Sequence, residues 1–383
     1  MLTALTLACC ASWVWLLQWH GNFWHILLPR APRSAPESWP EVAIIVPARD
    51  ETEVLPRSLP GLLAQDYPGA WRIILVDDHS GDGTAAAATA IAAAAGMSGR
   101  LTVTQPPALP AGWSGKVHAM DWGVRQAGDA AAYYLFTDAD ILHAPHSLRL
   151  LMARSLADRV DLHSLMVKLR CRSFWEKLLV PAFVYFFQML YPFTWSNAPG
   201  SRVAAAAGGT MLVRRAALEE AGGLAAIRGA IIDDCALARA IKFRASREPP
   251  RTLLTLTTAE ARSLRRYETL DSLWRMISRS AFTQLRYSWL LLALTVLGLF
   301  VVFIMPLLLL FAGGPWMIGG LAAIVLMLYS YMPMVQFYGL NFMYSATLPL
   351  AAALYLLATL DSARLYAMGR GGAWKGRVQA KAG

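Results

Sequence analysis

The sequence predicts an α/β domain built on a parallel sheet, with transmembrane helices before and after it. Three observations predict it. Short β-branched or aromatic runs alternate with helical stretches between residues 41 and 137. No charged side chain of either sign occurs from Tyr287 to Leu360, and none occurs in residues 1–29. Composition agrees: 56% of the 383 residues are hydrophobic and 16% charged, against about 45–50% and about 25% in soluble domains. That excess argues against a soluble enzyme and excludes a disordered chain, which needs low hydrophobicity. Four cysteines (Cys9, Cys10, Cys171, Cys235) form no CxxC pair and no metal-type spacing, so a disulfide scaffold is excluded too. The length allows about two domains.

The membrane segments follow from apolar run length. Leu2–Trp19, continuing to Leu28, has neither the basic n-region nor the small-residue cleavage site of a secretory signal, and reads as an anchor. Trp289–Ala312 and Pro315–Val335, separated by Gly313-Gly314, are each long enough to span. Ala346–Leu360 has only 15 residues and would need neighbours to cross, or be re-entrant. The net charge is +10, and thirty of the 35 Lys and Arg lie between Arg30 and Arg286. The other five (Arg364, Arg370, Lys375, Arg377, Lys381) form a tail. The positive-inside trend puts the middle region in the cytoplasm and the N-terminus outside. Four spans would then leave the basic tail outside, so the balance tips towards 346–360 not crossing. The uncharged, aromatic-rich stretch Leu178–Trp195, with Pro181 and Pro192 inside it, is expected as an interfacial or re-entrant element lining an acceptor entrance. The expected organisation is an anchor at 1–28, a cytoplasmic domain at 41–287 with its interfacial element at 178–195, transmembrane segments at 288–360 and a basic tail at 361–383.

The α/β domain begins after a linker carrying Pro29, Pro32, Pro36 and Pro40. Val42–Val46 and Arg72–Val76 read as strands, Thr84–Ala95 as an alanine-rich helix and Leu101–Thr104 as a strand. Lys116–Gln126 then reads as a helix and Ala132–Thr137 as a strand. Ligands of such sheets bind at the carboxyl ends of the strands, and the polar clusters lie there.

Asp138-Ala139-Asp140 directly follows the strand run Tyr133–Phe136. Residues two apart in an extended chain project to one side, and two carboxylates facing one ligand repel unless a cation lies between them. An all-oxygen pair suits Mg²⁺ or Mn²⁺; the alternative is a solvated turn with Asp140 as a helix cap. Asp77-Asp78 precede Ser80-Gly81-Asp82-Gly83-Thr84. Their carboxylates can accept hydrogen bonds from a base or ribose, while Asp82 or Thr84 caps the following helix. Gly112-Trp113-Ser114-Gly115-Lys116 puts a lysine at a helix start, where it can meet a diphosphate. Asp233-Asp234 open a helical run (Cys235–Lys242), either as dipole partners or as a general base towards a hydroxyl. Arg279, Gln284, Arg286 and Tyr287 precede the first long apolar run, as interfacial anchors or as contacts to donor phosphates.

The ordered set Val46-Pro47-Ala48-Arg49-Asp50-Glu51, Val76–Thr84, Asp138-Ala139-Asp140, Gly208-Gly209-Thr210 and Asp233-Asp234 resembles the family 2 glycosyltransferases, with their GT-A-type, Rossmann-like nucleotide-sugar fold. It covers residues 42–287. Gly112–Lys116, Thr137–Ile141 and the aromatic run 181–195 are most similar to the hopene-associated membrane glycosyltransferases of bacteria. The resemblance implies inverting transfer of one sugar from a nucleoside-diphosphate sugar to a lipid acceptor, such as a hopanoid, at the bacterial inner membrane. It implies no nucleic-acid partner. Pro47, Arg49, Asp50, Glu51, Asp77, Asp78, Lys116, Asp138, Gly209, Arg279 and Arg286 would meet the donor. Asp138 and Asp140 would hold Mg²⁺ or Mn²⁺ on the diphosphate, and Asp234, with Asp233 beside it, would deprotonate the acceptor hydroxyl. Two features depart from the family: Asp-Asp stands where Glu-Asp is usual, and Gln284-Leu285-Arg286-Tyr287 is a degenerate form of the synthases' Gln-x-x-Arg-Trp. A polyprenyl-phosphate or ceramide-type sugar transferase, a polysaccharide synthase and a non-catalytic membrane scaffold remain alternatives.

Overall fold

A computed structural model describes residues 1–32, 36–244, 251–257 and 260–372. They fall into two units. An α/β unit comprises 27–170 and 195–265, and a helical unit comprises 1–26, 171–194 and the chain from Arg266 onward.

The strands of the α/β unit are β1 (Val42–Ala48), β2 (Trp71–Asp77), β3 (Leu101–Thr104), β4 (Tyr133–Thr137), β5 (Ile141–His143), β6 (Leu162–Met166), β7 (Thr210–Arg214), β8 (Thr252–Leu256) and β9 (Ala261–Ser263). Seven of them make one sheet in the order β3-β2-β1-β4-β7-β6-β8, and β5 and β9 make a small antiparallel pair. The β1 run Val42–Ala48 is apolar because both of its faces are covered. Ala43 and Ile45 enter one core with Val117 and Met120 of the helix Gly115–Ala127 and Leu237 and Ile241 of Asp233–Arg244. Val42, Ile44 and Val46 enter the other with Leu59 of Leu55–Leu63, Ala88 of Thr84–Ala94 and Leu151 of Ser147–Ala157. Gly123 lets its helix lie close on β1, since a Cβ there would stand 2.5 Å from Ile45 Cγ2.

The strand and helix runs expected from 42 to 137 are present, but the sheet is not wholly parallel. β7 runs antiparallel to both β4 and β6, with Thr137 opposite Thr210. The reason lies in the connection. Between β6 and β7 the chain leaves for the helical unit at 171 and returns at 195. A strand reached by such an excursion is not bound by the single-crossover βαβ rule. The consequence is local to the site: the N-terminal end of β7 meets the C-terminal end of β4, so Gly208 and Gly209 arrive beside Asp138.

Among the described residues of the helical unit, four helices are long and apolar enough to cross a membrane: Leu2–Trp19, Trp289–Leu309, Gly314–Phe337 and Phe342–Ala367. The last runs well past the apolar stretch expected at Ala346–Leu360, because it continues through Asp361 and Arg364, which pair with each other at 2.7 Å. The helical part of 361–383 thus reaches Ala367; Lys375, Arg377 and Lys381 lie outside the described residues. Leu178–Trp195 divides into the helix Phe174–Leu190, with Pro181 inside it, and the short helix Phe193–Asn197. A capping box of Ser173 and Glu176 starts the former, and the buried Glu176 carboxylate also accepts the Tyr267 N–H at 3.0 Å.

Trp289–Leu309 is interrupted by a π-helical turn at Phe300–Ile304 just before Pro306. Proline has no N–H to give to the carbonyls four and five residues back. Those carbonyls are filled from the N-terminal helix instead: Trp13 Nε1 donates to Val302 O at 2.9 Å and Cys9 Sγ to Val301 O at 3.1 Å. Trp13 is wholly buried.

Candidate active site

Three short clusters line the strand ends of the α/β unit, and each follows from where its strand stops. At the ends of β1 and β2, Arg49 turns back to donate to Asp78 O at 2.9 Å, with Asp78 Oδ2 at 3.5 Å. Asp50, in the left-handed region at φ 51°, accepts the Gly81 N–H at 2.8 Å and donates its own N–H to Ser80 Oγ. Asp77 Oδ1 accepts the Ser80 N–H at 3.0 Å, and both Asp77 and Asp78 are buried. Pro47 lies within β1, opposite Val76. Asp82 Oδ1 receives the Thr84 N–H at 3.0 Å, while Gly83, at φ 86°, occupies the cap position itself.

The second cluster centres on Lys116, at the start of Gly115–Ala127. Its ammonium lies 2.9 Å from Asp138 Oδ1 and 3.3 Å from Asp233 Oδ2, so acids at the end of β4 and the start of Asp233–Arg244 share one cation. Burial pulls this ammonium down, but the Asp138, Asp233 and Asp234 carboxylates outweigh it and hold the group above the usual lysine range. Asp234 faces the loop before β7: its Oδ2 accepts the Gly208 N–H at 2.8 Å and its Oδ1 the Cys235 N–H at 2.7 Å. Removal from solvent and the Asp233 charge push the Asp234 carboxyl up to about 6, against the pull of Lys116 and of the two N–H groups. Gly208 has no side chain where a Cβ would stand 3.1 Å from Lys116 Nζ and 3.4 Å from Asp234 Oδ2.

The third cluster holds Asp140. Its Oδ2 accepts Arg265 Nε at 2.6 Å, and the same guanidinium reaches Glu51 Oε1 at 3.2 Å. The loop between β4 and β5 is braced by a side-chain chain: Thr137 Oγ1 donates to Gly209 O at 2.9 Å and meets His143 Nε2 at 2.8 Å. His143 Nδ1 meets Ser147 Oγ at 3.2 Å, and Ser147 Oγ lies 3.1 Å from Gln65 Oε1.

Thus Lys116, Asp138, Gly208, Asp233 and Asp234 come together in one cluster, and Glu51, Asp140 and Arg265 in a neighbouring one. Asp138 and Asp140 join the two clusters through the chain. Arg279 and Arg286 belong to the helical unit, at the end of Leu270–Ser278 and, at φ 51°, after Ala281–Gln284. Sequence reasoning missed Arg265 and His143. Arg265 is 125 residues from Asp140 and stands in no motif, so it left no signal. His143 lies six residues after Thr137, and a polar residue closing a turn that follows a buried strand was a weak one.

Among the described residues no group of three or more His, Cys, Asp or Glu is disposed to hold a metal ion. The two carboxylates of Asp138 and Asp140 nevertheless fit a hard divalent cation that takes its remaining oxygens from a diphosphate and water, as Mg²⁺ commonly does. Asp138 is 37% exposed and open to such a ligand.

Residues 43–222 match the model of "Glycosyl transferase family 2". No curated protein matches the sequence. Among solved structures, the chain is similar to the mannosyltransferase PcManGT from Pyrobaculum calidifontis in complex with GDP-Man and Mn²⁺. That likeness has 18% identity and a TM-score of 0.54, and covers 95% of this chain and 99% of that one. It establishes the shared GT-A-type α/β fold. Looser likenesses include S. aureus TarS 1–349 in complex with UDP-GlcNAc (15% identity, TM-score 0.42, 88% of this chain and 95% of that one). M. tuberculosis glucosyl-3-phosphoglycerate synthase is another (17%, 0.38, 64% and 81%).

Proposed function

With a family 2 glycosyltransferase segment at residues 43–222 as the premise, we propose that the protein is a membrane-bound, inverting, metal-dependent enzyme. It moves one sugar from a nucleoside-diphosphate sugar to a hydroxyl of a lipid acceptor, with a hopanoid as the first acceptor to test. The observation that carries the reading is Asp234: a carboxyl held by two backbone N–H groups, pushed up to about 6 by burial and the Asp233 charge, in a cluster with the lysine that also holds Asp138. A carboxylate poised near the operating pH is suited to accept a proton.

In the reaction, the acceptor oxygen attacks the anomeric carbon from the face opposite the leaving group and gives its proton to Asp234. The bond between that carbon and the diphosphate oxygen breaks, and the nucleoside diphosphate departs with the electron pair. Lys116 offers positive charge to the diphosphate, and Asp233 keeps that ammonium in place. A divalent cation held by Asp138 and Asp140 would neutralise the developing charge on the leaving group. Asp77, Asp78 and Asp50, with Arg49 bracing Asp78, would receive the base and ribose, and Pro47, Glu51 and Gly209 shape the same edge. Arg279 and Arg286 would serve the donor phosphates or the lipid headgroups.

The lipid acceptor is supported by the four apolar helices: an acceptor with a large apolar body stays in the bilayer, so the enzyme must be held there. The charge asymmetry supports a bacterial inner membrane with the α/β unit in the cytoplasm. Missing the Arg-Trp signature, the chain is suited to a single transfer rather than to polymer synthesis.

The test is nucleotide release by purified protein in detergent, with a panel of nucleotide sugars, a bacterial lipid extract, and Mn²⁺, Mg²⁺ or chelator. One donor should give metal- and lipid-dependent release that Asp234→Asn abolishes. Release that survives in Asp234→Asn overturns the base, and a product carrying many sugars overturns single transfer.

A further inference from the structure

We propose that Arg265 is a positioning residue that stands in the metal's place at Asp140 and Glu51 until donor arrives, then passes to the donor diphosphate as the divalent cation loads. The inference rests on the glycosyltransferase reading above and adds to it a residue outside every sequence motif.

The backbone sets Arg265 where it is. β9 pairs antiparallel with β5, Ser263 opposite Ile141, and Leu264 donates its N–H to Asp140 O at 2.8 Å. The next side chain therefore emerges beside the Asp140 carboxylate whatever ligand is present. Its two acids are poorly solvated: the Asp140 and Glu51 side chains are 8% and 12% exposed. Carboxylates so placed require a positive partner. Arg265 supplies it at 2.6 and 3.2 Å.

The arginine itself is 40% exposed, twice the exposure of Lys116. Both cations face two acids, but the Arg265 guanidinium has solvent on one side, whereas Lys116 is enclosed between Asp138 and Asp233. The two carboxylates of the Asp138/Asp140 pair are thus balanced by different cations, one enclosed and one open to solvent. A metal ion held by Asp138 and Asp140 would compete with Arg265 for the Asp140 carboxylate. A displaced guanidinium next to an arriving diphosphate finds a partner that matches its paired N–H groups. Arg265 should therefore oppose binding of the bare metal and favour binding of the nucleotide.

That opposition of signs is the test. Full-length wild type, Arg265→Gln and Arg265→Lys in detergent are titrated with Mn²⁺ alone, the free ion being counted by electron paramagnetic resonance. GDP and UDP are then titrated separately at saturating Mn²⁺. Arg265→Gln should take up Mn²⁺ alone several-fold more tightly, and bind whichever nucleotide the wild type binds several-fold more weakly. Arg265→Lys should keep the wild-type weakness for bare Mn²⁺. If Arg265→Gln binds Mn²⁺ alone no better than wild type, or binds nucleotide equally well, the inference falls while the function stands. If wild type binds no Mn²⁺ even with GDP or UDP, the metal reading fails and this inference with it.

Discussion

Gly208 gives its backbone N–H to Asp234 Oδ2 at 2.8 Å, although 26 residues separate them in the chain. The bond ties the loop before β7 to the first turn of Asp233–Arg244, and fixes the carboxylate edge that would face an acceptor hydroxyl.

The proposed base, its carboxyl pushed up to about 6 by burial and the Asp233 charge, would make turnover pH-dependent with a definite sign. Activity should rise with pH through about 6 and level off above it, as the Asp234 carboxylate becomes free to accept a proton. Stability runs the other way. The folded protein holds this proton more tightly than the unfolded chain, so the group's contribution is full below its ordinary 3.8 and is lost as pH rises through about 6. Asp234→Asn should lower kcat by about 10²–10⁴ and not lower the melting temperature at pH 8. Rate profiles and thermal unfolding across pH 4–8 check both halves.

His143 offers a second test, through hydrogen counting. Burial pulls its imidazole down to about 4, so the ring is neutral in ordinary buffers and carries one N–H. That one N–H serves either Thr137 Oγ1 or Ser147 Oγ, and the other ring nitrogen accepts. Nitrogen NMR should report a neutral imidazole, unchanged between pH 5 and 8. His143→Leu should lose about 1–3 kcal/mol of stability and raise the donor KM, whereas His143→Gln, which can still hydrogen-bond Thr137, recovers much of both.

The Trp13 indole provides a third. It fills the Val302 carbonyl that Pro306 leaves open, in a helix with no charged side chain to take over. Trp13→Phe should destabilise the detergent-solubilised protein by about 1–3 kcal/mol, read as a lower unfolding temperature. Trp15→Phe, on a side chain 49% exposed, should leave that temperature unchanged.

Much of this architecture was legible in the residues. Val42–Ala48 and Trp71–Asp77 are strands because β-branched apolar residues bounded by polar turns have few other uses. The acidic groups at 77–78 and 138–140 fall at strand ends because a buried strand must stop where charge begins. The apolar runs after Ser288 are helices because only hydrogen bonds within a segment can satisfy a backbone surrounded by lipid-like side chains.

What the residues did not disclose depends on contacts distant along the chain. The direction of β7 follows from an excursion of some forty residues between β6 and β7, and no local pattern encodes a strand's direction. The partnership of Arg265 with Asp140 follows from the pairing of two three-residue strands, too short to announce themselves. By itself the sequence determined the first four strands, which stretches would be apolar helices and which acids would stand at those strand ends, since propensity and burial act over a few residues. Only the tertiary structure decided which cation would face which acid, because ion pairs form between whatever surfaces folding brings within a few ångströms.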